Sequence, residues 1–189
     1  MKNLTLPFKG MRETNISQTY HSGHEALDLV NSYASPMCAL ENSRVELIFG
    51  DTYTPGNHTN TKRGYGVWLT GLETGLVYVI WHSLPILPVN GGDIVKRGQI
   101  VAYMGNSGLV RSGGKYVPLE ERDKPPYRGT HLHLQIFKPG SRIGDWRGET
   151  VNPLDRLNWN WHPQYSIADQ LFAISKTIKK ATKLVVNKL

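Results

Sequence analysis

The sequence predicts a mainly β domain followed by one basic amphipathic helix, and three observations carry that expectation. Glycine (19), proline (11) and the aromatic residues are spread along most of the chain, which suits short strands joined by turns better than a helical bundle. The run Thr130-His131-Leu132-His133-Leu134-Gln135-Ile136 alternates polar and apolar positions, as a half-buried strand does. Past Ser166 the period changes. Ile167, Leu171, Ile174, Ile178, Ala181 and Val185 recur at helical spacing, and every charge after Asp169 is a lysine. With 189 residues and 39% hydrophobic content the chain can bury one good core, so residues 1–158 are expected to form a single domain and residues 159–189 a helical tail.

Taken in order, the first twenty residues read as polar and turn-rich, punctuated by Pro7 and Gly10. Leu27 and Leu29 suggest a strand that ends in a turn at Ala34-Ser35-Pro36. Arg44-Val45-Glu46-Leu47-Ile48-Phe49 reads as the next strand, and residues 52–63 have the composition of a loop. Val67-Trp68-Leu69-Thr70 and Val77-Tyr78-Val79-Ile80-Trp81-His82 predict a hairpin, with Tyr78, Ile80 and His82 on one face by alternation. Ile94-Val95, a turn at Lys96-Arg97-Gly98, and Gln99-Ile100-Val101-Ala102-Tyr103 follow, closed by Gly105-Asn106-Ser107-Gly108. Residues 109–129 read as an irregular charged loop, long enough to expect a role near a functional site. Ser166-Ile167-Ala168-Asp169 resembles a capping box and starts the tail helix.

Composition excludes several classes. The single cysteine, Cys38, leaves no intrachain disulfide framework and no all-cysteine metal site; it reads as a small buried residue. No stretch approaches the roughly 18 to 20 apolar residues of a membrane span, and the start shows no apolar run suited to a signal peptide. The net charge of +7 points to an anionic partner: cell-wall polymer, membrane surface or nucleic acid. No nucleic-acid motif accompanies the charge, so that reading ranks last.

The chemistry centres on histidine. On the alternating strand His131, His133 and Gln135 share a face. Upstream, His24 and Asp28 stand four residues apart and share a face whether their segment is extended or helical. Zinc accepts imidazole nitrogen and carboxylate oxygen, and a catalytic site keeps a position open. Two imidazoles and one carboxylate would leave such a site at about +1, enough to polarise a carbonyl. Glu25 beside His24 does not make a helical His-Glu-x-x-His motif, because Asp28 stands at the second histidine's position. His21, His58 and His162 lack a motif and read as loop or surface residues.

In this combination the chain resembles the lysostaphin-type (LytM-like) zinc endopeptidases, which are peptidoglycan hydrolases. The resemblance rests on His-x-x-x-Asp early and His-x-His late. Between them lie Tyr78-Val79-Ile80-Trp81-His82-Ser83-Leu84, the Gly92-to-Ala102 hairpin and glycine turn, and after them Val151-Asn152-Pro153-Leu154. It implies an antiparallel β-sheet sandwich or open barrel, with one Zn2+ per chain held by His24, Asp28 and His133. His131 and His82 correspond to the catalytic pair, and Tyr20 and Asn106 to candidate substrate contacts. The loop of residues 109–129 is longer than the family's usual connection.

The implied partner is bacterial peptidoglycan. The absence of a leader suggests delivery by lysis or on a virion, as for phage-encoded endolysins, with cytoplasmic residence until release as the alternative. The competing reading is a non-catalytic wall-binding or structural module of a larger assembly with the same fold. For the tail, three readings stand: its apolar stripe packs on the body, lies on an anionic membrane surface, or joins phage tail or other virion proteins.

Overall fold

The computed structural model describes residues 3–50 and 64–186. Its strands are, in chain order, β1 (Ile16–Gln18), β2 (Leu27–Leu29), β3 (Pro36–Cys38), β4 (Ser43–Phe49), β5 (Tyr65–Gly71), β6 (Val77–Ser83), β7 (Ile94–Val95), β8 (Ile100–Tyr103), β9 (Arg111–Ser112), β10 (Lys115–Tyr116), β11 (Leu132–Phe137) and β12 (Thr150–Val151). Among the described residues two α-helices accompany them, α1 (Leu119–Arg122) and α2 (Ile167–Val186). An eight-stranded sheet runs β1-β2-β11-β6-β5-β4-β7, with β12 pairing β11. A second sheet pairs β3 with β8, and every one of these ladders is antiparallel.

One face of the large sheet makes the main core. Leu27, Leu29, Val67, Leu69, Tyr78, Ile80, Leu132, Leu134 and Ile136 point into it, where Met37, Val101 and Ala102 of the smaller sheet meet them. The N-terminal segment belongs to this core, contrary to its polar reading. Leu4, Leu6, Phe8 and Met11 are all 1% exposed or less, and Leu4 bridges Leu157. The other face of the sheet carries an aromatic layer, Trp68, Val79 and Phe137 with Trp81, Trp146 and Phe49 against them.

The predicted β5–β6 hairpin is present. The predicted hairpin across Lys96-Arg97-Gly98 is not, because β7 pairs with β4 and β8 with β3. The turn instead carries the chain from one sheet to the other. The 109–129 segment is more regular than its composition suggests. It contains the β9–β10 hairpin around Gly113-Gly114 and the one-turn helix α1, whose Arg122 is buried. Residues 52–63, including His58, lie outside the described residues. The tail helix starts as expected, with the Ser166 Oγ accepting from Asp169 N at 3.2 Å and Asp169 Oδ2 accepting from Ser166 N at 2.7 Å.

Candidate functional site

Register brings the distant histidines together. β11 lies between β2 and β6, and His133 sits directly opposite Asp28 on one side and Trp81 on the other. Directly opposed residues of antiparallel strands project to the same face. Asp28 and His133 therefore meet although 105 residues separate them in sequence. His24 reaches the same point from a tight turn in which His21 and His24 exchange backbone hydrogen bonds, with Gly23 at φ +87°. The segment is extended, so the helical His-Glu-x-x-His geometry does not arise.

The resulting cluster is compact. His133 Nδ1 lies 2.9 Å from Asp28 Oδ1, and His24 Nε2 lies 3.2 Å from Asp28 Oδ2. One ligand atom from each of His24, Asp28 and His133 falls within 4.8 Å of the other two. Thr19 O accepts from His24 Nδ1 at 3.1 Å. This fixes the ring with Nδ1 protonated and turns Nε2, buried and lacking a hydrogen-bond partner, into the cluster. A backbone carbonyl accepting from one ring nitrogen and an orphaned buried nitrogen on the other is what a metal-binding histidine requires. The donor set of two imidazoles and one carboxylate suits zinc. Burial pushes the Asp28 carboxyl up, but its His133 hydrogen bond and the neighbouring histidines outweigh this and hold it below the usual value.

His131 and His82 stand beside the cluster and are tied differently. His131 Nε2 lies 3.9 Å from Asp28 Oδ2, while its Nδ1 donates to Gly129 O at 2.8 Å. His82 Nδ1 donates to Ser107 O at 2.7 Å, and its ring centroid is 4.6 Å from that of His131. With a carbonyl fixing Nδ1–H in both, each neutral ring keeps a lone pair on Nε2. Burial holds both rings below the ordinary histidine pKa, His82 well below, with His131 and His133 adding to the effect there.

His82 occupies this place through a departure from regular strand geometry. Alternation assigns it to the face of Tyr78 and Ile80, which in the structure points into the core. In the structure Tyr65 pairs with Ser83 and Gly66 with Trp81, leaving His82 as the extra residue of a bulge, at φ +59°. The bulge turns its ring to the Trp81 side, where the two stack with centroids 4.8 Å apart. A left-handed residue other than glycine costs about 1 kcal/mol or more, and such outliers concentrate at functional sites.

The turn Gly105-Asn106-Ser107-Gly108 supports both of these histidines. Gly105 O accepts from His131 N at 3.1 Å, and Gly105 N donates to His82 O at 3.1 Å. A Cβ at Gly105 would stand 2.9 Å from Leu84 N and 3.1 Å from His82 O, so the approach needs glycine. The structure gives Asn106 a use other than the expected substrate contact. It is 3% exposed, and its Nδ2 donates to the carbonyls of Arg122 and Arg128, each at 3.1 Å. In return the Arg122 guanidinium donates to Asn106 O and Gly108 O. Asn106 thus clasps the long loop that leads into His131. Tyr20 donates its hydroxyl to Thr150 Oγ1 at 2.8 Å, and Thr150 in turn donates to Glu25. That hydroxyl is committed to β12 and the turn carrying His24.

His21 is exposed and packs its ring 5.6 Å from His24, while His162 lines a separate cleft with Thr5 and Arg97. Cys38 is buried, which pushes its thiol pKa up. The sequence reading missed Trp81 and Trp146. Trp81 lies 5.2 Å from His133 and 4.4 Å from Trp146, and walls the site on the β6 side. The signal was the Trp81-His82 dipeptide, but its meaning depends on the bulge.

No protein-family model matches the chain, and no curated protein matches it. Solved structures share its fold. The chain is similar to Csd3 from Helicobacter pylori, at 19% identity over 96% of this chain and 42% of that one, with a TM-score of 0.51. It is similar to the antimicrobial peptidase lysostaphin from Staphylococcus simulans, at 18% identity over 82% and 52%, with a TM-score of 0.50. A zinc-containing peptidase from Vibrio cholerae matches at 15% identity over 80% and 39%, with a TM-score of 0.50. The chain spans about half or less of the length of these three proteins. The fold is the mainly antiparallel β fold of the lysostaphin-type peptidases, with the C-terminal helix α2 in addition.

Proposed function

We propose that this chain is a zinc-dependent endopeptidase that hydrolyses peptide crosslinks of bacterial peptidoglycan. The observation that carries the reading is the pairing of a three-ligand cluster with two further histidines whose Nδ1 atoms are tied to carbonyls. His24 through Nε2, the Asp28 carboxylate, and His133 through the nitrogen it turns to Asp28 would hold the metal. Zinc bound there supplies Lewis acidity toward a carbonyl oxygen and a water molecule. Metal binding would displace the proton that His133 shares with Asp28.

The remaining work falls to His131 and His82. Each can take a proton at Nε2, and once protonated each donates there. One imidazole removes the proton of the attacking water as its oxygen adds to the peptide carbonyl. An imidazolium then donates to the oxyanion, or protonates the amine as the C–N bond breaks. Their depressed pKa values keep both rings neutral, and so competent as bases, near neutral pH. The wall of Trp81 and Trp146 excludes water from one side of the ligand cluster. The net charge of +7 suits a substrate rich in carboxylates and phosphates.

The test is digestion of purified peptidoglycan with the zinc-loaded chain, read by mass spectrometry of the released fragments, with zinc content measured on the same sample. Fragments with new peptide amino termini, lost on chelation and restored by zinc, are expected. Asp28→Asn is expected to lose both metal and fragments. A zinc-replete chain that releases nothing would make the fold a non-catalytic module here. Undiminished release by metal-free Asp28→Asn would remove the ligand assignment.

A further inference from the structure

The cleft that His162 lines lies apart from the histidine cluster and offers a different chemistry. It opens beside the turn after β7, the edge strand four places from β11 in the large sheet. Its volume is about 410 Å3, within the range of roughly 300 to 1,000 Å3 that small-ligand sites occupy. An aromatic ring stands in it. Trp161 is 44% exposed, and the Arg97 guanidinium lies over its indole, 5.0 Å from the ring centroid. The backbone under that ring is fixed. Trp161 O accepts from Leu6 N at 2.8 Å and from Thr5 Oγ1 at 2.5 Å, while Trp161 N donates to Asn158 O at 2.9 Å. Buried Pro163 follows two residues on. A ring held in this way needs little ordering when a ligand stacks on it.

Three properties of the lining identify the occupant. The first is charge. Arg97 carries the only full charge among the residues around the cleft. Its Nη2 pairs with Glu73 Oε2 at 2.5 Å, and its Nη1 donates to the carbonyls of Asn3 and Leu40. An ionic ligand finds no free counter-charge there, so the fitting ligand is uncharged. The second is the pair of exposed carboxamides, Asn160 and Gln164, which share the cleft with the indole. Gln164 commits one N–H to His162 O at 3.3 Å and keeps its own carbonyl oxygen. Two carboxamides complement hydroxyls and a further amide. The third is an unmet hydrogen bond, since His162 Nδ1 is buried with no partner among the described residues. Such atoms are rare in folded proteins, and a polar group seated in the cleft would supply the missing partner. A sugar ring combines these demands. Its axial C–H bonds, weakly positive, suit the negative face of an indole, and its rim carries hydroxyls.

We propose that this cleft binds an uncharged amino sugar bearing an acetamido group, stacked on Trp161 and hydrogen-bonded by Asn160 and Gln164. It goes beyond the proposed enzymatic reading and does not depend on it. Where both hold, the cleft keeps the chain on a glycan strand while the histidine cluster acts on the peptide.

The experiment is titration calorimetry of the full chain with a soluble oligomer of N-acetylglucosamine, on zinc-loaded and on chelated samples. Saturable binding that chelation leaves unchanged is expected. Trp161→Ala is expected to weaken it at least about tenfold, and Trp161→Phe, which keeps an aromatic face, to retain most of it. Thermal unfolding of each variant separates loss of the site from loss of the fold. Should Trp161→Ala lower the Tm, the Asn160→Ala/Gln164→Ala double variant carries the test, because both side chains are exposed. A wild-type chain with no saturable binding overturns the proposal, as does binding that survives both the Trp161→Ala and the double substitution. Binding abolished by chelation or by Asp28→Asn would overturn it by placing the sugar at the histidine cluster. Hydrolysis is read in none of these arms, so a chain without enzymatic activity still decides the question.

Discussion

Asn106 offers the sharpest test of how the site is held, since a substrate contact and a structural clasp predict different outcomes for Asn106→Ala. The side chain donates two hydrogen bonds at 3.1 Å, one to the Arg122 carbonyl in a buried setting and one to the Arg128 carbonyl in a part-buried one. Truncation leaves the first acceptor without a donor or water, at about 2 kcal/mol, and forfeits a net bond of about 1 kcal/mol at the second. The sum, about 3 kcal/mol, is roughly a hundredfold in the folded-to-unfolded ratio. Urea unfolding followed by tryptophan fluorescence reads it as a lower midpoint at unchanged slope. On the proposed enzymatic reading the variant also lowers kcat, because Arg128 precedes Gly129, whose carbonyl fixes the His131 ring. KM stays put. A stability loss below about 0.5 kcal/mol, the range of ordinary surface substitutions, would refute the clasp. A raised KM at unchanged kcat would return Asn106 to substrate binding.

Two further predictions concern the histidines. His131→Ala is expected to keep its zinc and lose about 10²- to 10⁴-fold in turnover on purified wall, whereas His133→Ala is expected to lose the zinc; equal metal loss in both would cancel the division of roles. Acid is expected to destabilise the metal-free fold through His82 and His131. Both have folded pKa values below the unfolded value of about 6.5, so below that pH the unfolded chain takes up protons that the folded chain refuses. Stability should then fall as pH drops, at up to about 2.7 kcal/mol per unit for two such groups. A flat unfolding free energy between about pH 6.5 and 5 contradicts the burial of the two rings.

The parts of the fold that were legible in sequence are those set by local patterning. The β5–β6 hairpin follows from two β-branched and aromatic runs around a glycine turn, β11 from strict alternation, and the start of α2 from Ser166 and Asp169. What was not legible depends on contacts distant in sequence. The alternation of Leu4, Leu6 and Phe8 was present but masked by Pro7 and Gly10, and only the return of residues 157–161 beside it makes it a core segment. The sheet change between β7 and β8 leaves no local mark. Arg122, in a run of charges, reads as solvated. It is buried because the carbonyls of the 105–108 turn need its guanidinium. In the site, residue types pointed to the residues that form the His24–Asp28–His133 cluster, whereas the position of His82 required the bulge.

That bulge also explains how one sheet face serves two kinds of histidine. His133 lies mid-strand, between Asp28 and Trp81, with its Nδ1 directed across the ladder to the carboxylate. Its nitrogens are arranged by its strand partners. His131 lies just outside β11, where the backbone has turned enough for its Nδ1 to reach back two residues to Gly129 O. His82 reaches the same condition from β6, its left-handed backbone bringing Nδ1 to Ser107 O. Regular strand geometry thus produces the histidine that faces the carboxylate, and the strand end and the bulge produce the two with free Nε2 atoms. The glycine turn then couples the pair, since Gly105 bonds to both backbones while Ser107 holds the His82 ring. A substitution in that turn should therefore disturb His82 and His131 together and leave the Asp28–His133 pairing, which the β2–β11 register fixes, intact.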